Sequence, residues 1–374
     1  MNGGPAPDET SATGLGGALA STAGAAARGS ISTTSSPPAK PPPRTPGHES
    51  GESLAAASPA PASPFVAGPA GQLGITLEPA LRQACDGRLS PITWFRTDWQ
   101  RGGAVTGYAT FRGAEGVTHP VVVKLPVPPR ERRWLALLQA HDIIVPRLYA
   151  HGETLGGYDL AWVVMERLAH GPLGSAWGGA EFDLLVEAAG RFYAASADVE
   201  PTGEAHRPDW TQLCDRARKA VHSGSVPEQQ RWNRALKKAH RKHKAWARQW
   251  DERPCDDWCH GDLHLGNAMT RHAPPRGPAL LFDFAHTRVG HWLEDAIYLE
   301  HLFWGRPERL EGRRLARQMA RERKSLGLDV AADWPQLAQT KRALLAMTVP
   351  ARLAHDGDRA HLGASLAVLE AAVG

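Results

Sequence analysis

The sequence predicts an α+β fold of two lobes, in which an N-terminal antiparallel sheet with one helix precedes a mostly helical C-terminal lobe. Three strand-like runs follow one another along the chain, at Pro91 to Arg96, Val105 to Phe111 and Pro120 to Leu125. Successive strands separated by short turns favour antiparallel pairing. After Gly171 apolar residues recur at helical spacing, first in Phe182 to Ala195. This change of period indicates where one lobe ends and the next begins.

Composition divides the 374-residue chain further. Residues 1–70 are dominated by Ala, Gly, Ser, Thr and Pro, and such a segment cannot bury enough apolar surface to offset its chain entropy. We therefore expect a disordered tail there, whose removal leaves activity intact. Residues 71–168 are the predicted N-terminal lobe, and residues 169–374 are the predicted helical lobe.

The overall composition is that of a globular protein with a sizeable core. Hydrophobic residues make up 42% of the chain, and the net charge of +4 is too small to indicate a nucleic-acid partner. No apolar run approaches the ~20 residues that span a bilayer, and the Ala-rich Gly17 to Ala27 lacks the features of a secretory signal. The four cysteines form no framework of the small secreted type, which predicts reduced thiols in the cytoplasm. They are Cys85, Cys214, Cys255 and Cys259.

The most informative stretch contains three polar residues around a turn-rich break. Asp262 and Asn267 lie five positions apart, and Asp283 ends an apolar run. Met269 to Arg271 and Ala279 to Phe282 are predicted to be two short strands of a hairpin, which would bring Asn267 near Asp283. Amide and carboxylate oxygens suit Mg²⁺, and phosphoryl transfer from ATP needs a carboxylate beside the acceptor hydroxyl. The pattern predicts Asn267 and Asp283 as metal ligands and Asp262 as the catalytic residue.

This stretch resembles the catalytic loop of kinases, with Gly261 in place of the arginine of protein kinases. With His264 and Gly266, that change makes it similar to the aminoglycoside phosphotransferase and choline kinase family. The resemblance covers about Pro91 to Leu302. It implies a bilobal protein-kinase-like fold, ATP and Mg²⁺ as cofactors, and a small hydroxyl-bearing substrate. Ala285 follows the Asp-Phe pair, a departure that puts a second metal site in doubt.

Three further residues are expected to support the loop rather than to take part in the chemistry. His260 and His264 are predicted to brace it through hydrogen bonds. The resemblance places Asp295, in Asp295-Ala296, where relatives carry an acidic residue, and we expect it to bind backbone donors of the loop.

The nucleotide is expected to lie against the N-terminal lobe. Lys124 ends the run Val-Val-Val-Lys and is predicted to bind the α- and β-phosphates, with Glu131 at the start of the next helix as its partner. Gly102 and Gly103 are candidates for a glycine loop over the phosphates, although a simple hairpin turn explains them equally well. In the resembling family, adenine pairs with the backbone of the segment that links the lobes. Its positions here are Met165, Glu166 and Leu168.

Other functions are open at this point. Cys255, Cys259, His260 and His264 form a rival zinc set, but their spacing fits no common pattern, and zinc leaves Asn267 and Asp283 unexplained. The basic helix predicted at Arg231 to Trp250 could bind nucleic acid, although its Trp-rich stripe is more simply a packed face. A catalytically silent nucleotide-binding module is the remaining alternative.

The acceptor is not identified by the sequence, and neither is the number of subunits. A pocket for a polycationic aminoglycoside should be rich in acidic residues, whereas the C-terminal helices are basic. This favours a neutral sugar, an amino alcohol or an anionic acceptor, unless the basic residues are solvated surface. They are Arg313, Arg314, Arg317, Arg321, Arg323 and Lys324.

Overall fold

The computed structural model describes residues 69–95, 104–141, 143–175, 179–224, 226–353 and 358–374. The predicted tail lies outside these residues except for Pro69 and Ala70, which begin the first helix. The proposed glycine loop with Gly102 and Gly103 also lies outside them.

A five-stranded antiparallel sheet forms the N-terminal part, as predicted. Its spatial order is β1-β2-β3-β5-β4, so β5 lies between β3 and β4, and β4 forms the edge of the sheet. The strands are β1 (Thr93–Phe95), β2 (Val105–Arg112), β3 (Thr118–Leu125), β4 (Leu148–Gly152) and β5 (Trp162–Glu166). Helix α1 (Pro69–Ala84) packs on β1 and β2, and helix α2 (Pro129–Leu137) follows β3.

The alternation of side chains along β3 positions the predicted nucleotide lysine. Val121, Val123 and Leu125 are fully buried in the cluster that α1 covers. Because successive side chains of a strand point to opposite faces, Lys124 lies on the other face. That face is the one from which α2 presents Glu131, so the strand period itself brings the two residues together.

The C-terminal part is mostly helical, with two short strand pairs inserted around the catalytic loop. Strands β6 and β9 pair with each other, and β7 pairs with β8 in the predicted hairpin. These strands are β6 (Asp257–Cys259), β7 (Ala268–Thr270), β8 (Ala279–Leu281) and β9 (Arg288–Gly290). The helices are α3 (Ala180–Ser196), α4 (Trp210–His222), α5 (Gln229–Asp251), α6 (Leu293–His301), α7 (Leu315–Ser325), α8 (Trp334–Leu353) and α9 (Arg359–Val373).

The basic helix α5 packs through its apolar stripe. Trp232, Leu236, His243 and Trp250 are buried, and the lysines lie on the outer faces. Lys242 donates a hydrogen bond to the main-chain oxygen of Val373, at a distance of 3.1 Å. The last carbonyl groups of a helix have no partner within it, so a cation at the end of α9 serves a structural purpose.

No helix among the described residues combines the length and the hydropathy that a membrane crossing requires.

Candidate active site

A buried carboxylate holds the loop that carries the predicted catalytic residue. Asp295, near the start of α6, accepts hydrogen bonds from the main-chain nitrogens of His260 and Gly261, at 2.8 and 2.9 Å. The Tyr193 hydroxyl donates to the same carboxylate at 3.0 Å. Three donors on a side chain that is 1% exposed leave the loop little freedom to shift.

Gly261 has a structural reason to be glycine. Its φ is +82°, and a Cβ added there would lie 2.1 Å from the main-chain oxygen of His286. No side chain fits such an approach without moving the backbone, and L-residues rarely adopt this φ. The arginine that protein kinases carry at this position is therefore excluded here by sterics.

The two histidines of the loop hydrogen bond to main-chain groups. His260 Nε2 lies 3.1 Å from the carbonyl oxygen of Phe282, which can only accept, so Nε2 carries the proton. Nδ1 then accepts from the Asp262 nitrogen at 3.4 Å. Burial lowers the pKa of His260, in keeping with a neutral ring. His264 Nδ1 accepts from the Gly266 nitrogen at 2.9 Å.

Asp262 is a positioned carboxylate of low basicity. Its Oδ1 accepts from the Tyr298 hydroxyl at 2.7 Å, and Oδ2 accepts from Asn267 Nδ2 at 3.2 Å. Burial alone would raise the pKa of Asp262, but His264, whose Nε2 lies 3.6 Å from Oδ2, and the Tyr298 hydroxyl outweigh it. They hold that pKa well below its ordinary value, so the group is ionised at neutral pH.

Tyr298 was not predicted from the sequence, although a signal for it exists. It lies three residues after Asp295, and residues three apart share one face of a helix. Both side chains of α6 therefore point at the same loop. Burial, followed by the charge of Asp262, raises the pKa of the Tyr298 hydroxyl, which stays protonated as a donor.

Asn267 and Asp283 lie next to each other across the hairpin. The Phe282 nitrogen donates to the main-chain oxygen of Asn267 at 3.2 Å, which brings the following residue, Asp283, beside the loop. The amide nitrogen of Asn267 donates to Asp262, and its amide oxygen accepts no hydrogen bond from the described residues. Asp283 has a left-handed backbone, with φ of +63°, and a side chain 40% exposed. The amide oxygen of Asn267 and the carboxylate of Asp283 are thus two hard oxygen donors on one edge, a set that fits Mg²⁺.

Lys124 connects the sheet to this edge. Its ammonium group donates to both oxygens of Glu131, at 2.7 and 2.9 Å, and lies 3.7 Å from Asp283 Oδ1. Burial by itself would lower the pKa of Lys124, but Glu131 and Asp283 raise it overall, so the lysine is charged. Residues from the two halves of the chain thereby meet at one edge of the β7–β8 hairpin.

The segment linking the lobes is fixed by Glu166. Its carboxylate accepts from Arg271 Nε and Nη2, at 2.7 and 2.8 Å, and from the Arg147 nitrogen at 3.1 Å. Its side chain is thus bound to the residue that follows β7 and to the residue that precedes β4. Met165 is half-buried and Leu168 is buried, and the main-chain nitrogens of Glu166 and Arg167 donate to the main-chain oxygens of Arg147 and Pro120, at 2.8 and 3.1 Å.

The rival zinc set is not assembled. No three of its residues bring ligand atoms within reach of one ion in the part of the chain that the structure describes. The Cys259 thiol instead donates to the main-chain oxygen of His291 at 3.3 Å, and the Cys255 thiol donates to the main-chain oxygen of Arg253 at 3.5 Å.

Comparison with known proteins agrees with this geometry. Residues 107–340, more than half of the chain, match the model of the phosphotransferase enzyme family. The chain belongs to this family. The membership confirms the resemblance seen in the sequence and makes the protein a phosphotransferase that acts on hydroxyl groups of small molecules.

Two solved structures show the same fold. A putative aminoglycoside phosphotransferase from Ralstonia eutropha is 15% identical, with a TM-score of 0.51, over 79% of this chain and 98% of that one. An aminoglycoside phosphotransferase from Alicyclobacillus acidocaldarius is 14% identical, with a TM-score of 0.50, over 79% and 92%. At such identities the likeness concerns the fold alone. No curated protein matches the sequence.

Proposed function

We propose that the protein transfers the γ-phosphoryl group of ATP to a hydroxyl of a small molecule, with Mg²⁺ held by Asn267 and Asp283. The observation that carries this proposal is the chain of contacts that joins Asp262 to Asn267, Asn267 to the strand end before Asp283, and Asp283 to Lys124. When bound, the metal and nucleotide supply charge neutralisation and the phosphoryl group. Lys124, oriented by Glu131, is assigned to the phosphates.

Asp262 is assigned to the acceptor hydroxyl. The loose transition state of phosphoryl transfer asks for orientation more than for basicity, so a carboxylate of low pKa suffices. Asn267 and Tyr298 fix the two oxygens of that carboxylate, and Asp295 fixes the loop beneath it. We further propose a cytoplasmic location, which supplies ATP and suits four free cysteines.

The charges beyond Tyr298 favour an anionic acceptor. Lys341 is 8% exposed and rests on the rings of Trp210 and Trp250, at 5.2 and 4.6 Å. Arg352 lies on the same face of α8, eleven residues later, is exposed, and acts electrostatically on Tyr298 and on a second cation, Arg216.

One buried carboxylate opposes these cations. The charge of Glu294 raises the pKa of Lys341, whereas the charges of Arg253, Arg288 and Arg352 lower it. Glu294 is itself paired with Arg253 and Arg288. An excess of positive charge attracts anions and repels a polycation such as an aminoglycoside. We therefore propose a hydroxyl compound that also carries a carboxylate or phosphate.

The arginines that the sequence pointed to contribute less to this charge. Arg313 pairs with Asp183 at 3.0 Å, and Arg323 pairs with Asp257 at 2.9 Å. The charges of Arg313 and Arg323 are offset by these partners, and the proposal depends on Arg352, the exposed cation that acts on Tyr298.

Phosphate transfer from radiolabelled ATP to matched sugar acids, neutral sugars and amino sugars tests the function and the acceptor class together. Transfer to sugar acids at the highest kcat/KM supports both. Transfer only to amino sugars contradicts the anionic class and keeps the kinase. Hydrolysis or transfer to none of a wide panel counts against the kinase itself.

Arg352→Gln is expected to raise KM for the preferred anionic acceptor by about 10-fold or more, since a hydrogen bond to a charged group contributes about 1.5–3 kcal/mol. KM for ATP should stay unchanged. Arg359→Gln, an exposed arginine on α9, is the control. Equal acceptor KM in Arg352→Gln and wild type would remove Arg352 from the site.

Tyr298→Phe tests the positioning of Asp262. We expect kcat to fall about 10-fold, because the lost hydrogen bond to a charged group frees one carboxylate oxygen. The pKa of Asp262 should rise at the same time, so the acid limb of the pH–kcat profile should move to higher pH. Tyr158→Phe, at an exposed tyrosine, is the matched control. An unchanged acid limb would show that Tyr298 does not act through Asp262.

A further inference from the structure

A second group of potential ligands lies on α4 and α5. It consists of Cys214 on α4 with His240 and His243 on α5. One ligand atom from each side chain lies within 4.8 Å of the other two. Cys214 and His243 are buried, whereas His240 is exposed, so the group lies where the helix interface meets solvent.

The orientation of His243 leaves its outer nitrogen available. Nδ1 lies 2.8 Å from the main-chain oxygen of His240, and because a carbonyl can only accept, Nδ1 carries the proton. Nε2 is then the acceptor of the neutral ring, and the Thr211 hydroxyl lies 3.3 Å from it. Histidine ligands of metals commonly have this arrangement, in which the other nitrogen is fixed by a carbonyl group.

The other two side chains can adapt to an ion. The Cys214 thiol has no hydrogen-bond partner among the described residues. The His240 ring stacks on His243 with centroids 5.0 Å apart. Since a metal lies in the plane of each imidazole it binds, one stacked ring has to turn, and the exposed His240 is free to do so.

Packing alone explains part of this arrangement, because buried cysteines and histidines are common between helices. It does not explain why the exposed His240 lies three residues before the buried His243, on the same face of α5, and within reach of Cys214. Two ligands from one helix turn and a third from its neighbour are a spacing that a tetrahedral ion can bridge. The ligand atoms of such an ion lie about 3.5 Å apart, so the present atoms, which lie within 4.8 Å of one another, need to close by no more than about 1.3 Å.

We propose that Cys214, His240 and His243 bind one Zn²⁺ ion that ties α4 to α5, with water in the fourth position. Thiolate and imidazole are the ligands that zinc prefers, and the thiol proton leaves to solvent when the Zn–S bond forms. The set shares no residue with Cys255 and Cys259 or with the candidate active site. Its effect is structural, because α5 leads directly into β6 and the catalytic loop.

The test uses the full-length protein, stripped with a chelator and then dialysed against Zn²⁺ alone. We expect one bound zinc per chain by elemental analysis and a higher Tm in zinc than in chelator. His240→Ala, at an exposed position, removes a direct ligand and should weaken binding by more than the roughly 10–100-fold that follows from losing a group outside the ligand set. Cys255→Ser is the control and should bind zinc as the wild type does.

Co²⁺ provides a readout that does not depend on stability. The wild type and Cys255→Ser should show a thiolate-to-cobalt charge-transfer band, and Cys214→Ser should lack it. No stoichiometric zinc in the wild type would overturn the proposal. So would a cobalt band that survives in Cys214→Ser or disappears in Cys255→Ser.

Discussion

Asp262→Asn is expected to lower kcat by about 10³-fold, within the range that positioned acid–base groups contribute. Asparagine has the same size and can still accept from Tyr298, so the loop should keep its shape. It cannot take the acceptor proton, and it carries no charge to orient the hydroxyl. Initial rates of phosphate transfer at saturating ATP measure the effect.

Two controls accompany this variant. Asp256→Asn makes the same change at an exposed position four residues before the loop begins and should leave kcat unchanged. Affinity for an ATP analogue should also be equal in Asp262→Asn and wild type, since Lys124 and Asp283 are untouched. A kcat above a third of wild type in Asp262→Asn would remove Asp262 from the catalytic role.

Glu294→Gln is expected to reduce the free energy of unfolding by about 3–5 kcal/mol, the usual effect of breaking a buried ion pair from one side. Glu294 is 5% exposed, and its two oxygens accept from Arg253 at 2.6 Å and from Arg288 at 2.9 Å. The side chain of Arg253 is fully buried, so glutamine leaves a guanidinium without a counter-charge. Urea unfolding measures the change.

The pH dependence gives this prediction its sign. Burial alone would raise the pKa of Glu294, but Lys341, Arg288 and Arg253 outweigh it and lower the pKa from 4.5 to about 2. A folded-state pKa below the unfolded one stabilises the protein above pH 4.5 and stops doing so as pH falls to about 2. Wild type should therefore lose stability in that window, and Glu294→Gln should lose less.

Glu252→Gln is the matched control for the stability measurement. Glu252 is exposed, and its nearest cation is Arg248 at 4.0 Å, so the pair should contribute about 0–1 kcal/mol. If Glu294→Gln and Glu252→Gln were equally stable, the buried cluster would not hold β9 against α6.

The parts that the sequence predicted well are local ones. The hairpin β7–β8 follows from two apolar runs around a turn-rich connector, and it lies where expected. Lys124 and Glu131 are seven residues apart, so strand alternation and one helix turn suffice to bring them together. The antiparallel sheet likewise follows from strands that succeed one another in the chain.

The features that the sequence did not predict depend on contacts between residues far apart in the chain, or on helical patterns that glycine or proline interrupts. Tyr193 reaches Asp295 across 102 positions, and no local pattern indicates such a partner. The sequence predicts only a short helix over Leu77 to Cys85, whereas helix α1 begins at Pro69. The earlier start was missed because Gly74 weakens the helical pattern before Leu77. The electrostatic action of Arg352 on Tyr298 was likewise not predicted, since Arg352 lies beyond the stretch in which basic residues cluster in sequence.

Metal binding at Asn267 and Asp283 is tested most directly with Mn²⁺ as a paramagnetic substitute for Mg²⁺ and a non-hydrolysable ATP analogue. Electron paramagnetic resonance should show one tightly bound Mn²⁺ per chain in wild type and in Asp159→Ala, a control at an exposed position. Asp283→Ala should weaken that binding by at least about 10-fold, because it removes the charged oxygen ligand. Equal Mn²⁺ affinity in Asp283→Ala and wild type would contradict the proposed site.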